Sequence, residues 1–203
     1  MKINGYYFIT DSGLSKNGNI SDVKEAVKAG VGVVQYRQKC ATSKEMYDEA
    51  FTLRQICKDI IFLVNDRVDI ALAVGASGVH LGQDDLPYSV AREILGKKKI
   101  IGITVHNVKE AKIAARQGAD YLGVSPIFAT GTKADAGKPA GVETIKEIKK
   151  SVNIPIVAIG GINLSNAKEV IDAGADSLCA ISAVVTKKDV KKEIEKFHRL
   201  FIP

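Results

Sequence analysis

Short apolar segments alternate with helical segments along almost the whole chain. The apolar runs are rich in β-branched residues and nearly free of polar ones, as in parallel strands buried on both faces. The predicted strands are Tyr6–Thr10, Val31–Arg37, Ile60–Asn65, Gly78–Gly82, Ile100–Thr104, Tyr121–Ser125, Ile154–Gly160 and Ser177–Ser182. The predicted helices are Asp22–Ala29, Lys44–Lys58, Val68–Val74, Ser89–Leu95, Val108–Gln117, Val142–Lys150, Ser165–Ala173 and Lys188–Phe201. This alternation favours an α/β fold, a single (β/α)8 TIM barrel, over an open doubly wound sheet, which usually has fewer strands.

Turn residues agree with this division of the chain. Glycines that favour a left-handed backbone follow three predicted helices, at Gly30, Gly118 and Gly174. Residues whose side chains cap helix N-termini stand near the start of four, at Ser21, Ser43, Asn107 and Asn163. Because no composition shift or flexible linker interrupts the pattern, we expect one domain over residues 1–203.

Charge and cysteine content restrict the partners and the setting. The formal net charge is +6, but many of the lysines lie in short runs near helix ends, where a solvated surface explains them. Aromatic residues make up only 6% and form no stripe with basic ones, so a nucleic-acid partner is not expected. The 3 cysteines lack any C-x-x-C pair, which favours a reduced, cytoplasmic setting. No apolar run approaches the roughly 18 residues of a membrane span, and the first residues do not resemble a signal peptide.

One connection is long for a chain of this size. The 203 residues are fewer than the roughly 250 that such barrels usually take, and eight units share them at about 25 residues each. Most connections must therefore be minimal. The segment Pro126–Ala140, rich in Gly, Thr, Lys and Ala, is an exception and is predicted to be a loop that closes over substrate.

Polar side chains collect where the second predicted strand ends. Gln35, Arg37 and Lys39 share one face of that strand, because side chains alternate. Active sites of these barrels lie at the carboxyl ends of the strands. Two cations at a barrel mouth need a partner, which is either an anionic ligand or a carboxylate of a neighbouring strand.

Carboxylates follow the third and fourth strands. Asp66 and Asp85 are expected to converge there, and one or two carboxylates beside phosphate oxygens form a typical Mg²⁺ site. The alternative is structural: Asp84 and Asp85 cap the next helix, or pair with Arg67.

The remaining strand ends supply hydroxyls, a histidine and glycines. Thr104 and His106 share a face; His106 is either a general acid or base or a hydrogen-bonded structural residue. The long loop carries Thr130, Gly131, Thr132 and Lys133, which suit a carboxylate or phosphate. Gly160 and Gly161 expose backbone N–H groups beside Ser182, at the usual phosphate site of these barrels. Anion-binding groups on two sides of one mouth predict two phosphorylated substrates, or one with two anionic ends.

In order and spacing, these motifs resemble the thiamine phosphate synthase family, (β/α)8 enzymes that join the pyrimidine and thiazole halves of thiamine. The resemblance extends from Tyr7–Asp11 to Ala180–Ala183. The motifs that carry it are Gln35-Tyr36-Arg37-Gln38-Lys39, Asn65-Asp66-Arg67, His80-Leu81-Gly82-Gln83-Asp84-Asp85, Pro126-Ile127-Phe128, Thr130-Gly131-Thr132-Lys133 and Gly160-Gly161-Ile162. Four positions depart from the common family pattern: Tyr36 replaces Leu, Gln38 replaces Glu, Thr104 replaces Ser, and Gly131 replaces a residue that is often Pro.

The resemblance implies a transferase that binds two small molecules, with Mg²⁺ as its cofactor on Asp66 and Asp85. The pyrimidine diphosphate would be held by Gln35, Arg37, Lys39 and Asn65, with Thr104 at the leaving diphosphate. Tyr36 and Gln38 belong to the same substrate-binding motif, although strand alternation turns Gln38 away from the mouth. The thiazole substrate would be held by Thr130, Gly131, Thr132 and Lys133, and its phosphate by Gly161, Ile181 and Ser182.

The implied chemistry is a substitution in which diphosphate departs before the thiazole nitrogen attacks. Arg37, Lys39, Thr104 and Lys133 are the expected catalytic residues, which act by charge and position rather than by proton transfer. The alternatives are a thiazole tautomerase of the same superfamily, which needs no diphosphate end, and a non-catalytic barrel that binds a phosphate ligand. The oligomeric state stays open.

Overall fold

A computed structural model describes residues 3–132 and 137–202 and shows a closed barrel of eight parallel strands. The strands are β1 (Gly5–Ile9), β2 (Val33–Tyr36), β3 (Ile61–Asn65), β4 (Gly78–Leu81), β5 (Ile100–Val105), β6 (Tyr121–Val124), β7 (Ile156–Ile159) and β8 (Ser177–Cys179). Each strand pairs with the next along the chain, and β8 pairs with β1. The predicted (β/α)8 barrel is confirmed.

Helices connect the strands on the outside of the barrel. They are α1 (Asn19–Lys28), α2 (Ser43–Ile56), α3 (Val68–Ala73), α4 (Tyr88–Leu95), α5 (Val108–Gln117), α6 (Gly141–Ser151), α7 (Ala167–Asp172), α8 (Ile181–Val185) and α9 (Val190–Arg199). The helix α8 was not predicted. The predicted eighth strand, Ser177–Ser182, is wrong at its end, because β8 stops at Cys179 and the apolar residues that follow form this short helix.

The predicted turn chemistry is correct at the glycines and at one cap. Gly30, Gly118 and Gly174 all have positive φ, at 84°, 99° and 103°. Asn107 caps α5 by accepting the Glu110 N–H at 3.0 Å. At these four positions the local preference of the residue type predicts the backbone conformation or cap that the structure shows.

Three predicted caps are wrong. Gly18 precedes α1, so Ser21 lies within that helix. Thr42 rather than Ser43 caps α2, in a reciprocal capping box with Glu45. Asn163 organises the turn before α7, whose cap position is Asn166. In each case a residue near the predicted one begins the helix, so the error is one of register.

Two layers of apolar side chains hold the barrel together. The larger one packs the outward side of the sheet against the helices. The smaller one fills the barrel interior and consists of Ile3, Tyr7, Ile9, Val33, Leu63, Tyr121, Val157 and Cys179. Branched apolar residues usually dominate the interior of such barrels, and this interior differs because it contains Tyr7 and Tyr121.

Candidate active site

The two faces of β2 separate its side chains into different environments. Val33 belongs to the interior cluster and Gln35 is buried at the barrel opening. Tyr36 packs outward among the helices, and its hydroxyl donates to Glu49 of α2 at 2.7 Å. Strand alternation thus turns the Tyr36 side chain away from the mouth, and its substrate-binding role stays a prediction.

Gln38 also lies away from the cavity. Its Oε1 accepts the Cys40 backbone N–H at 3.0 Å and the Ser12 hydroxyl at 3.2 Å, so the side chain holds the segment after β2. The orientation of Gln38 agrees with the alternation argument, and its substrate-binding role stays a prediction. The substitution of Gln for Glu at this position thus leaves the mouth unchanged.

A largely apolar inner cavity opens at the carboxyl ends of the strands. Its apolar walls include Ile9, Ile159 and Cys179. Polar side chains stand among them on neighbouring strands, namely Gln35, Asn65, His80 and Thr104. The cavity therefore offers an apolar enclosure with a few fixed hydrogen-bonding groups, which is typical of small-molecule sites.

A chain of hydrogen bonds crosses the barrel beneath this cavity. Gln35 Nε2 donates to Tyr7 Oη at 2.8 Å, and the hydroxyls of Tyr7 and Tyr121 are 2.8 Å apart. Tyr121 Oη lies 2.8 Å from His80 Nδ1, and His80 Nε2 lies 2.8 Å from Thr104 Oγ1. Burial raises the pKa of Tyr7 and of Tyr121, so both phenols keep their protons near neutral pH.

Two strand glycines make room for the rings of this chain. A Cβ added to Gly102 of β5 would lie 2.0 Å from Cζ of Tyr121. A Cβ added to Gly123 of β6 would lie 2.8 Å from Cε1 of His80. Both glycines are thus required by close approach of an aromatic ring rather than by backbone conformation.

A polar cleft lies beside the inner cavity and contains the predicted cations. Arg37 Nη1 pairs with Asp11 Oδ2 at 3.2 Å, and Lys39 Nζ lies 2.5 Å from Asp66 Oδ2. The carboxylate alternative raised by the sequence is therefore present for both cations, and both side chains also line the cleft. Asp11 was not among the predicted site residues; its Oδ1 accepts the N–H groups of Gly13 and Leu14.

Asp66 and Asp85 meet in this cleft. Asp66 is a non-glycine residue with φ of 61°, a strained conformation that clusters at functional sites. Asp85 Oδ2 accepts the Gly82 N–H at 2.6 Å, and burial together with the adjoining Asp66 carboxylate raises the pKa of Asp85. Arg67 pairs with Asp69 instead, and Pro87 precedes α4, so the structural alternatives for Asp85 are not observed.

This carboxylate pair fits Mg²⁺ and not a metal that needs a full set of protein ligands. Burial and, after it, the adjoining Asp66 carboxylate raise the pKa of Asp85, and a divalent cation would stabilise the charged form of both carboxylates. No group of three or more His, Cys, Asp or Glu side chains suited to a metal occurs within residues 3–132 and 137–202. Mg²⁺ takes one or two carboxylates and completes its shell with water and substrate phosphates.

An outer groove extends from the other side of the inner cavity. It is lined by Thr130, Gly131, Thr132, Gly161 and Ser182, together with Lys187, which was not among the predicted site residues. A Cβ on Gly161 would lie 2.6 Å from the Ala129 carbonyl oxygen, so the segment after β6 rests directly on the turn after β7. Ile181 lines the inner cavity. Lys133 and part of the predicted 126–140 loop lie outside the described residues.

The three spaces form one continuous mouth. Arg37, Asn65 and Thr104 line both the inner cavity and the polar cleft. A second set lines both the inner cavity and the outer groove: Thr130, Thr132, Gly161, Ile162 and Ser182. The structure thus places cations and carboxylates at one end, glycines and hydroxyls at the other, and an apolar space between them.

His106 has a local partner at the rim of the cleft. Its Nδ1 lies 2.9 Å from Glu110 Oε2, and its backbone N–H donates to the same oxygen at 2.8 Å. This contact matches the hydrogen-bonded alternative for His106. The histidine at the centre of the mouth is His80, which sequence alone marked only as part of a motif.

Comparison with known proteins identifies the relatives of this barrel. The family model described as thiamine monophosphate synthase matches residues 6–184. The chain belongs to the thiamine monophosphate synthase family. Curated relatives are the thiamine-phosphate synthases of Methanosarcina mazei, 57% identical over 95% of this chain and 80% of that one, and of Methanosarcina barkeri, 54% identical over 95% and 88%. These relatives are transferases, and the family resemblance stated from the sequence is confirmed.

A solved structure agrees with the fold. The thiamine phosphate pyrophosphorylase of Pyrococcus furiosus superposes with a TM-score of 0.90, at 43% identity over 98% of this chain and 96% of that one. In the described part of the chain, none of the helices has the length and apolar content needed to cross a membrane.

Proposed function

We propose that this chain joins hydroxymethylpyrimidine diphosphate to thiazole phosphate and releases thiamine phosphate and diphosphate. The bond between the pyrimidine methylene carbon and the diphosphate oxygen breaks, and its electron pair leaves with diphosphate. The thiazole nitrogen then donates its lone pair to that carbon. With a carboxylated thiazole phosphate, CO₂ is lost as well. One observation carries the proposal: Arg37, Asn65 and Thr104 line both the apolar cavity and the charged cleft, where a ring and its leaving group would join.

The charged cleft suits the leaving diphosphate. Arg37 and Lys39 supply positive charge, and Thr104 supplies a hydroxyl at the border with the ring cavity. Asp66 and Asp85 would hold Mg²⁺, which neutralises diphosphate charge when it is bound. Lys133 is proposed to add a further cation. These groups stabilise charge that develops on the leaving oxygen, which is usually the largest catalytic contribution.

The inner cavity suits the pyrimidine ring and the cation that forms on its methylene. Gln35 and Asn65 are placed to hydrogen-bond the ring, and the apolar walls limit the access of water. Exclusion of water matters because water that captured the cation would give a free alcohol. Positioning of the two rings replaces a general base, since the thiazole nitrogen attacks with its own lone pair.

The outer groove suits the thiazole phosphate. Gly161 and the start of α8, at Ile181 and Ser182, are proposed to offer backbone N–H groups to the phosphate. Thr130, Gly131, Thr132 and Lys133 are proposed to hold the thiazole body. The barrel as a whole is then the catalytic domain. We place it in the cytoplasm, a setting supported by its free cysteines, Cys40, Cys57 and Cys179.

A thiazole tautomerase is the nearest competing function. It would use the outer groove but would need neither a carboxylate pair nor paired cations, and the polar cleft contains both.

A coupling assay distinguishes the two functions. Both substrates are supplied with Mg²⁺, and diphosphate and thiamine phosphate are measured. We expect both products to form in equal amounts, and to stop forming in a chelator. Isomerisation of the thiazole without coupling would overturn the proposal, as would equal coupling rates with Mg²⁺ and with chelator.

A further inference from the structure

We propose that Gln35, Tyr7, Tyr121 and His80 act as a positioning chain that fixes the Thr104 hydroxyl as a hydrogen-bond donor toward the leaving group. The inference rests on the proposed function for the identity of that leaving group, diphosphate. It assigns a task to three interior residues, Tyr7, Tyr121 and His80, none of which belongs to the predicted site.

The direction of the chain follows from counting protons. Gln35 donates through Nε2, so Tyr7 Oη accepts that proton. Each phenol carries a single proton, and a buried O–H that finds no acceptor is costly. Tyr7 therefore donates to Tyr121, and Tyr121 donates to His80 Nδ1.

The direction continues through the imidazole ring to Thr104. A neutral imidazole that accepts at Nδ1 carries its proton on Nε2. Nε2 then donates to Thr104 Oγ1, 2.8 Å away. Because Thr104 Oγ1 already accepts a proton, its own hydrogen is directed elsewhere, and Thr104 lines the polar cleft.

The chain is built into the barrel at a structural cost. It joins side chains from β1, β2, β4, β5 and β6, so it links most of the barrel wall. Gly102 and Gly123 leave the space that the rings of Tyr121 and His80 occupy. Glycine weakens a strand, and polar side chains in a barrel interior replace the branched apolar residues that usually fill it. A purely structural interior would not need a polar path that ends at the mouth.

The consequence for the reaction lies in the orientation of one hydroxyl. A Thr104 hydroxyl that points its proton at the diphosphate stabilises the developing negative charge. A hydroxyl that turned its lone pairs toward the same oxygen would repel it. When His80 donates to one lone pair of Thr104 Oγ1, the Thr104 hydrogen turns away from His80 and is available to the leaving group before substrate arrives, which is the kind of preorganisation that favours the transition state.

A double-mutant cycle tests whether the chain acts through Thr104. Thr104→Val keeps the shape and removes the hydroxyl, and Tyr121→Phe keeps the ring and breaks the chain. We expect Thr104→Val to lower kcat about tenfold and Tyr121→Phe about fivefold, with KM for the pyrimidine diphosphate within about twofold. In the Thr104→Val background, Tyr121→Phe should lower kcat less than about twofold further.

The matched controls separate positioning from folding. Tyr7→Phe removes the partner before Tyr121 but leaves His80 Nδ1 to accept the Tyr121 proton, so it should lower kcat less than Tyr121→Phe does. Tyr88→Phe removes a hydroxyl that bonds the Gly118 carbonyl on the outside of the barrel, and should leave kcat unchanged. An equal loss from Tyr121→Phe in both Thr104 backgrounds would overturn the proposal, because it would indicate a general structural effect.

Nitrogen-15 NMR of the ligand-free protein tests the chain independently of any turnover. The chain has 3 histidines, so one substitution at each of His106 and His198 leaves the His80 signals assigned. We expect His80 to carry its proton on Nε2, and to become a mixture of tautomers in Tyr121→Phe. A proton on Nδ1 in the unsubstituted protein would overturn the inference. Absence of coupling activity, with the expected tautomer present, would instead contradict the proposed function.

Discussion

Lys39 Nζ lies 2.5 Å from Oδ2 of Asp66, so a carboxylate expected to hold Mg²⁺ is also the partner of a cation expected to hold diphosphate. Asp85 adjoins the same carboxylate and has a pKa raised by burial and by Asp66. Lys39 therefore offsets the charge of Asp66, and Asp85 adds a second carboxylate beside this pair. Binding of a metal diphosphate would replace the contact between Lys39 and Asp66 by two attractive contacts with the ligand, Lys39 with the diphosphate and Asp66 with the metal. Little net charge would then be buried.

Substitution of either carboxylate should reduce the affinity for Mg²⁺. We expect Asp66→Asn and Asp85→Asn each to lower kcat/KM about 100-fold at limiting Mg²⁺, because an amide replaces a charged oxygen ligand. The activity is measured as diphosphate release against Mg²⁺ concentration. Asp48→Asn is the matched control, since Asp48 is an exposed carboxylate of α2 that pairs with Lys44, and it should change the curve less than about twofold. Unchanged Mg²⁺ curves for both ligand variants would contradict the assignment.

Arg37 should not be replaceable by lysine. Its side chain is 18% exposed, pairs with Asp11 and lines both the cavity and the cleft. A lysine keeps the charge but lacks the planar fork that can hold a carboxylate and a phosphate at once. We expect Arg37→Lys to raise KM for the pyrimidine diphosphate about tenfold, with Arg116→Lys, at an exposed position of α5, as the silent control. A steady-state titration that gave the same KM for all three proteins would argue against this role.

The barrel was predictable because its signals are local and repeated. Each strand is short and apolar and each helix has its own periodicity, so an error in one unit leaves the others intact. The error at β8 arose because the residues on both sides of Ala180 are apolar, and nothing in the composition separates a buried strand from a short buried helix.

The lining of the mouth was predictable where polar residues end an apolar strand, where paired glycines follow one, and where a loop is unusually long. Arg37, Lys39, Asp66 and Asp85 were found in the first of these ways, and the structure brings them into one cleft. Tyr7 and Tyr121 gave no such signal, because an aromatic residue in a strand indicates core. Their hydroxyls meet across 114 residues of sequence, and only the closed barrel brings them together.

Gly102→Ala should destabilise the barrel. The added Cβ would lie 2.0 Å from Cζ of Tyr121, whose ring is fully buried and held by hydrogen bonds on both sides. We expect the free energy of unfolding to fall by about 1–3 kcal/mol, the usual cost of overpacking a core. Gly32→Ala is the control, because a Cβ there meets nothing within 4 Å. Urea unfolding measures both, and equal midpoints would show that the interior accommodates the methyl group.

Stability should fall on mild acidification because of His198. Its Nε2 is buried and, among the residues described, has no hydrogen-bond partner, and its ring lies 6.5 Å from that of Tyr6. Burial lowers the His198 pKa, partly opposed by the charge of Glu195. The unfolded chain therefore takes up a proton at a higher pH than the folded one. The contribution of His198 to stability is complete above the unfolded pKa of about 6.5 and decreases as pH falls toward the folded pKa.

His198→Phe isolates this effect. Phenylalanine keeps an aromatic ring beside Tyr6 and removes both the unpaired nitrogen and the titration. We expect the free energy of unfolding of the unsubstituted protein to decrease more than that of His198→Phe between about pH 7.5 and about pH 5. His106→Phe is the comparison, because His106 is exposed at the mouth and bonds Glu110. The contribution of His198 depends on pH only if its pKa differs between the folded and the unfolded chain. Parallel pH curves for the unsubstituted protein and His198→Phe would show that this difference is absent and would contradict the prediction.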